Sequence, residues 1–167
     1  MKSHEIFQHM SPDLAVEILG YLQKERTAVF KSVVSGLAGQ RNLRSVFVER
    51  KPPLERYTWI KTALSRKAGD TFAAHLLQAW LLGAQKPMLR EFLGSLGIDH
   101  DEDGTVENLP ESPPKEKLRA SIDLLLAKYP AESVAAYLHA FNDMDSTVSW
   151  PPLGELLGED ERLRIGS

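Results

Sequence analysis

The sequence predicts an all-α fold of about seven to nine helices paired as αα-hairpins, in an irregular helical bundle or a short α-solenoid. Three observations predict it. Apolar residues recur at the i, i+3, i+4, i+7 spacing of one buried helix face. Proline stands where such stretches begin, as in Ser11-Pro12-Asp13 and Ser112-Pro113-Pro114. Three successive pairs of stripes share the same spacing, as hairpins of one kind would.

The first helix starts at Ser11-Pro12-Asp13, with Ser as the N-cap and Asp near the positive end of the dipole. It runs to about Gln23 and buries Ala15, Ile18, Leu19 and Leu22. A second, over about 25–38, carries Phe30, Val33, Val34 and Leu37 and closes on Gly39 at C′. Leu43, Val46 and Phe47 give a short helix that stops before Pro52-Pro53. Pro53 opens another, placing Tyr57, Ile60 and Leu64 inside and ending near Gly69. Asp70 caps the next, where Ala73, Leu76, Leu77, Trp80, Leu81 and Ala84 give the most regular periodicity in the chain. Pro87 starts a helix with Leu89, Phe92, Leu93 and Leu96, ended by Gly97.

Residues 98–111, IDHDEDGTVENLPE, read as a polar surface loop. Beyond it, Leu118, Ile122, Leu125, Leu126 and Tyr129 mark one helix, and Val134, Tyr137, Leu138 and Phe141 mark its partner after Pro130. A short helix at about 152–157 and a frayed tail from about 158 complete a single all-α domain over residues 1–167. Trp150, beside Pro151-Pro152, is expected to pin the tail to the body.

Composition narrows the function classes. A chain of 167 residues with 43% hydrophobic and 26% charged side chains has the make-up of a folded globular protein. With no cysteine, it has no disulfide, thiolate metal site or cysteine nucleophile. No apolar run approaches the ~18 residues needed to span a bilayer, and the N-terminus lacks a signal-peptide core, so a cytoplasmic location without membrane contact is expected. The net charge of −3 conceals an asymmetry. Residues 1–67 hold 12 Lys and Arg against 6 Asp and Glu, a balance of +6, while residues 68–167 hold 8 against 17, a balance of −9.

The basic half suggests a binding surface. Arg41, Arg44, Arg50, Lys51, Arg56, Lys61, Arg66 and Lys67 are interleaved with Phe47, Tyr57 and Trp59. Cations neutralise phosphates and aromatic rings stack on bases, so nucleic acid is one candidate partner. An acidic protein, or the acidic half of a second copy, is another. The third reading is a solvated helix face.

Asp99-His100-Asp101-Glu102-Asp103-Gly104-Thr105-Val106 resembles the first eight positions of an EF-hand calcium loop. The resemblance implies Asp99, Asp101 and Asp103 as ligands, joined by the Thr105 carbonyl. It departs from the family at the twelfth position, where Pro110 replaces the bidentate glutamate and Glu111 comes one residue late. The competing reading is an acidic turn between helices, in which Asp and Gly serve the turn geometry.

Catalytic motifs are missing. His4-Glu5 followed by His9 is not HExxH and falls in a segment expected to fray. His75 and His139 lie beside apolar stripes, as histidines satisfied within a core do. There is no GxSxG, GxxxxGK[ST] or GxGxxG. The chain therefore reads as a non-enzymatic helical interaction or regulatory module without a cofactor. A protein partner or self-association is expected first, nucleic acid second, and a helical enzyme or metal-binding protein third.

Overall fold

A computed structural model describes residues 1–107, 109–143 and 150–165. Among these residues there are ten α-helices, two short 3-10 turns and no strand. None of the helices is long and apolar enough to cross a membrane. The chain groups into two compact units, residues 1–80 and 81–165.

The first unit begins with a helix that the stripe pattern does not reveal, α1 (Ser3–His9). Its first turn is held by Glu5, whose carboxylate accepts the Lys2 N–H at 2.7 Å, and it buries Ile6 and Phe7 completely. The N-terminal segment is therefore packed, where fraying was expected. In α2 (Pro12–Glu25) the Ser11 hydroxyl accepts the Leu14 N–H at 3.1 Å, as its N-cap position requires. Arg26 ends α2 and starts α3 (Thr27–Gly39), so these two helices pack as a tight hairpin. Their predicted stripes, Ala15/Ile18/Leu19/Leu22 and Phe30/Val33/Val34/Leu37, are buried throughout.

Gly39 is not the residue that closes α3. It remains helical, and the left-handed conformation falls on Asn42, with φ 56°. Asparagine tolerates that region because its short polar side chain costs little there. The Leu43 N–H then bonds back to the Ala38 carbonyl at 2.9 Å. Two helices follow, α4 (Ser45–Glu49) and α5 (Pro53–Leu64), and both pack on α3. Here the buried residue of α4 is Val48, while Val46 and Phe47 are exposed; Tyr57 is half-buried, with its hydroxyl donating to Gln23 Oε1 at 2.7 Å.

Helix α5 stops at Leu64, short of the expected Gly69, and a 3-10 turn over Lys67–Gly69 leads into α6 (Asp70–Ala84). Asp70 was expected to cap α6. Instead it is the first helical residue, and its Oδ1 accepts the His4 backbone N–H at 3.0 Å and lies 2.7 Å from His4 Nδ1. Asp70 thus fastens α1 to the start of α6. Partial burial opposes its charge, but the bonds from His4 outweigh that and hold the carboxyl below its usual range.

The second unit takes in the end of α6 and continues with α7 (Lys86–Ser95), α8 (Lys115–Lys128), α9 (Ala131–Asp143) and α10 (Pro151–Glu159). Helix α8 packs on α7, α9 and α10. Phe92, Tyr137, Phe141 and Trp150 form a chain of tilted and edge-to-face rings, with successive centroids 5.6, 6.0 and 5.0 Å apart. Trp150 pins its segment as expected: its ring is buried and Nε1 donates to the Pro110 carbonyl at 3.2 Å. A clasp joins α7 to α8, in which Glu91 accepts from Lys128 and from the Tyr129 hydroxyl.

The expected frayed tail is also packed as far as residue 165. After α10 a 3-10 turn over Glu161–Leu163 buries Leu163, and Ile165 follows it into the core. Arg162 ties the turn down by donating to Asp160 and Asp123. Two apolar side chains and one charge clasp suffice because α9 and α10 leave a surface for them to cover.

Candidate functional site

The basic residues of the first unit share an electrostatic property. Among the described residues, every Lys or Arg ion pair with a carboxylate within 4.0 Å lies in residues 81–165. In residues 1–80 the one pair is His4 with Asp70. The first unit nevertheless carries 12 Lys and Arg against 7 Asp and Glu. Among the described residues its lysines and arginines therefore have no carboxylate partner within 4.0 Å, and those that are exposed meet solvent.

The eight predicted cations divide into distinct roles. Arg44, Arg50, Arg66 and Lys67 are exposed, and Lys61 is half-buried. Arg41 places its guanidinium over the Trp59 ring, 5.3 Å from the centroid, and its Nη2 is buried without a hydrogen-bond partner among the described residues. Lys51 sets its ammonium over Phe47 at 4.6 Å. One face of Trp59 and one face of Phe47 are thus each covered by a cation.

Arg56 has a structural role. Its guanidinium donates to Gln23 Oε1 at 3.1 Å, to the Glu49 carbonyl at 3.0 Å and to the Lys51 carbonyl at 2.9 Å. These bonds gather α2, the end of α4 and the start of α5 around one side chain. A planar fork of five donors is suited to that task. Nothing in the local sequence separates Arg56 from the other cations, because its partners include Gln23 and two backbone carbonyls.

The α4–α5 corner that Arg56 secures also carries apolar residues that composition does not flag. Val46 is 38% exposed, Phe47 49% and Leu54 69%. They lie among Arg44, Arg50 and Lys51 in the sequence, and the Lys51 ammonium rests over the Phe47 ring. Buried Val48 anchors α4 from beneath.

The acidic loop is folded as a turn. Gly104 adopts φ +80°, a conformation open to glycine, and the Asp101 N–H donates to the Thr105 carbonyl at 2.8 Å. That carbonyl, the implied fourth calcium ligand, is thereby engaged within the loop. The Thr105 hydroxyl donates to Asp103 Oδ1 at 2.7 Å and also approaches Asp101 Oδ2 at 3.3 Å. Hydrogen bonding from Thr105 keeps the Asp103 carboxyl below its ordinary value against a smaller opposing desolvation. Asp99 is exposed and outside this network. Among the described residues, no three His, Asp or Glu side chains gather in a group able to hold a metal ion.

The two helix-borne histidines differ. His139 is buried, and its Nε2 lies 3.1 Å from the Leu163 carbonyl, so that nitrogen carries the proton and donates. Burial lowers its pKa, partly offset by this bond. His75 is exposed at the rim of a small open hollow lined by Ala28, Val29, Ser32 and Val33. Neither forms an acid–base pair with a neighbouring side chain among the described residues.

No protein-family model, no curated protein and no solved structure matches this chain, so the functional reading rests on its own residues.

Proposed function

We propose that this protein is a non-enzymatic helical interaction module that binds an acidic partner through the basic surface of residues 41–67. The observation that carries the proposal is the segregation of ion pairs: the lysines and arginines of residues 1–80 have no carboxylate within 4.0 Å among the described residues, whereas six Lys or Arg pairs occur in 81–165. A partner that supplies carboxylates gains attraction without first breaking internal pairs. Arg44, Arg50, Arg66 and Lys67 are the side chains free to meet it.

Nucleic acid draws on the same cations, and Trp59 and Phe47 stand beside them. One face of each ring is already covered, by Arg41 and by Lys51, which leaves less ring surface for stacking bases, whereas carboxylates need only the exposed cations.

Labelled polyglutamate, a duplex and a single-stranded oligonucleotide are compared by fluorescence anisotropy at low and high salt, with light scattering of the protein alone. Polyglutamate is expected to bind at low salt, and Arg44→Glu with Arg50→Glu to abolish that binding. Preference for an oligonucleotide, or binding indifferent to these changes, overturns the proposal. A larger mass of the protein alone that falls with salt identifies a second copy as a source of the acidic surface.

A further inference from the structure

We infer that the corner between α4 and α5 takes an acidic segment that is also amphipathic, seating its apolar side chains against Val46, Phe47 and Leu54 and its carboxylates against Arg44, Arg50 and Lys51. The inference rests on the acidic-partner reading above and adds a recognition element to it.

Two features point to such an occupant. Leu54 lies in the first turn of α5 and is 69% exposed, and Phe47 in α4 is 49% exposed, although each helix buries other residues well. Single exposed apolar side chains are ordinary, but here three of them fall within residues 46–54, on α4 and on the first turn of α5, the helix packed against it. The same stretch has Arg44 before it and Arg50 and Lys51 within it, all without a carboxylate within 4.0 Å among the described residues. A polyphosphate backbone offers charge and nothing for Leu54 or Val46 to cover. An acidic protein segment with aliphatic residues offers both.

The corner is also preorganised. Arg56 bonds the carbonyls of Glu49 and Lys51, which fixes the connection between the helices, and Lys51 lies over one face of Phe47. Ordering this backbone on binding is therefore already accomplished, which favours tight association by a short segment.

The test uses the full chain and two labelled peptides, one of Glu and Leu at helical periodicity and its counterpart with every Leu replaced by Ser. The Leu peptide is expected to bind about tenfold tighter at low salt, a ratio that burial of one or two aliphatic side chains supplies. Val46→Ser with Leu54→Ser, neither of which holds a cation, is expected to erase most of that ratio while leaving binding of the Ser peptide unchanged. Should circular dichroism show loss of helix in the double variant, Leu54→Gln alone, at a largely exposed position, is expected to reduce the ratio severalfold. Equal affinity for both peptides overturns this inference and leaves the acidic-partner reading standing. Failure of both peptides to bind overturns both. Tighter binding of a single-stranded oligonucleotide, lost in Phe47→Ser, replaces the acidic segment with nucleic acid.

Discussion

Trp150 and Pro110 stand forty residues apart in the sequence and are joined by one hydrogen bond, from the indole nitrogen to the proline carbonyl at 3.2 Å. The bond fastens the acidic loop to the segment that starts α10, and the ring fills a place beside Phe141 at 5.0 Å. Trp150→Ala removes a buried ring and is expected to cost about 3–5 kcal/mol. Trp150→Phe keeps most of the packing and loses the donor, for a smaller cost with the Pro110 carbonyl left unpaired, about 1–3 kcal/mol. Urea unfolding of the two variants separates the ring from the bond.

Arg56 is expected to behave unlike the other basic residues around it. Arg56→Ala loses three hydrogen bonds that hold the α4–α5 corner and should destabilise by about 1–3 kcal/mol. Arg56→Lys recovers little, since one ammonium cannot reproduce the planar fork. Exposed Arg44→Ala and Arg66→Ala should stay within about 0.5 kcal/mol of the parent. Thermal unfolding of the four variants reports the contrast, and a uniform effect contradicts the clamp.

His139 gives the protein a pH dependence of known sign. Its folded pKa lies below the ordinary value because burial disfavours the charged ring, more than the Leu163 bond compensates. In the unfolded chain the ring takes up a proton near pH 6.5, so between that pH and the folded pKa the unfolded state binds more protons. Stability is thus full above about pH 6.5 and declines as pH falls toward the folded value. His139→Gln can still donate to Leu163 without titrating, and its denaturation midpoint should be less sensitive to pH over that interval. Equal slopes in the two proteins refute the assignment.

Two glycines of the second unit should respond in opposite ways to alanine. A Cβ at Gly104 would lie 2.6 Å from Leu89 Cβ at φ +80°, so Gly104→Ala is expected to cost about 1–3 kcal/mol. At Gly158 no atom lies within 4 Å of the added carbon, and Gly158→Ala should be neutral or stabilise by up to about 1 kcal/mol. Differential scanning calorimetry distinguishes them. The same instrument tests the loop: calcium should leave the parent Tm unchanged, because the Thr105 carbonyl is engaged by Asp101 and the carboxylates of Asp101 and Asp103 face the Thr105 hydroxyl.

Much of the fold is legible in the sequence because helical periodicity reports burial directly. Ile18, Leu22, Phe30, Leu37, Leu76, Trp80, Phe92 and Leu138 all lie where their stripes place them. The ends of the chain are less legible. Helix α1 offers only Ile6 and Phe7 as buried positions and starts without a Ser, Thr, Asp or Asn side chain at Lys2, so its stability depends on α5 and on the Asp70 bond. Leu163 and Ile165 sit among charged residues, and only the surfaces of α9 and α10 give them somewhere to go. The basic segment is readable as chemistry but not as a division of labour. Charge alone cannot tell Arg56, turned into the corner, from exposed Arg44, nor reveal that Phe47 and Leu54 are exposed.

The stacking of Arg41 on Trp59 supplies an optical handle. The chain has three tryptophans, of which Trp80 and Trp150 are buried and Trp59 is partly exposed. Iodide, an anionic quencher, should be drawn to the cations around Trp59 and silence its emission ahead of the other two. A ligand that occupies residues 41–67 shields that fluorophore, so its arrival can be followed in the unlabelled protein by the share of light that iodide no longer reaches.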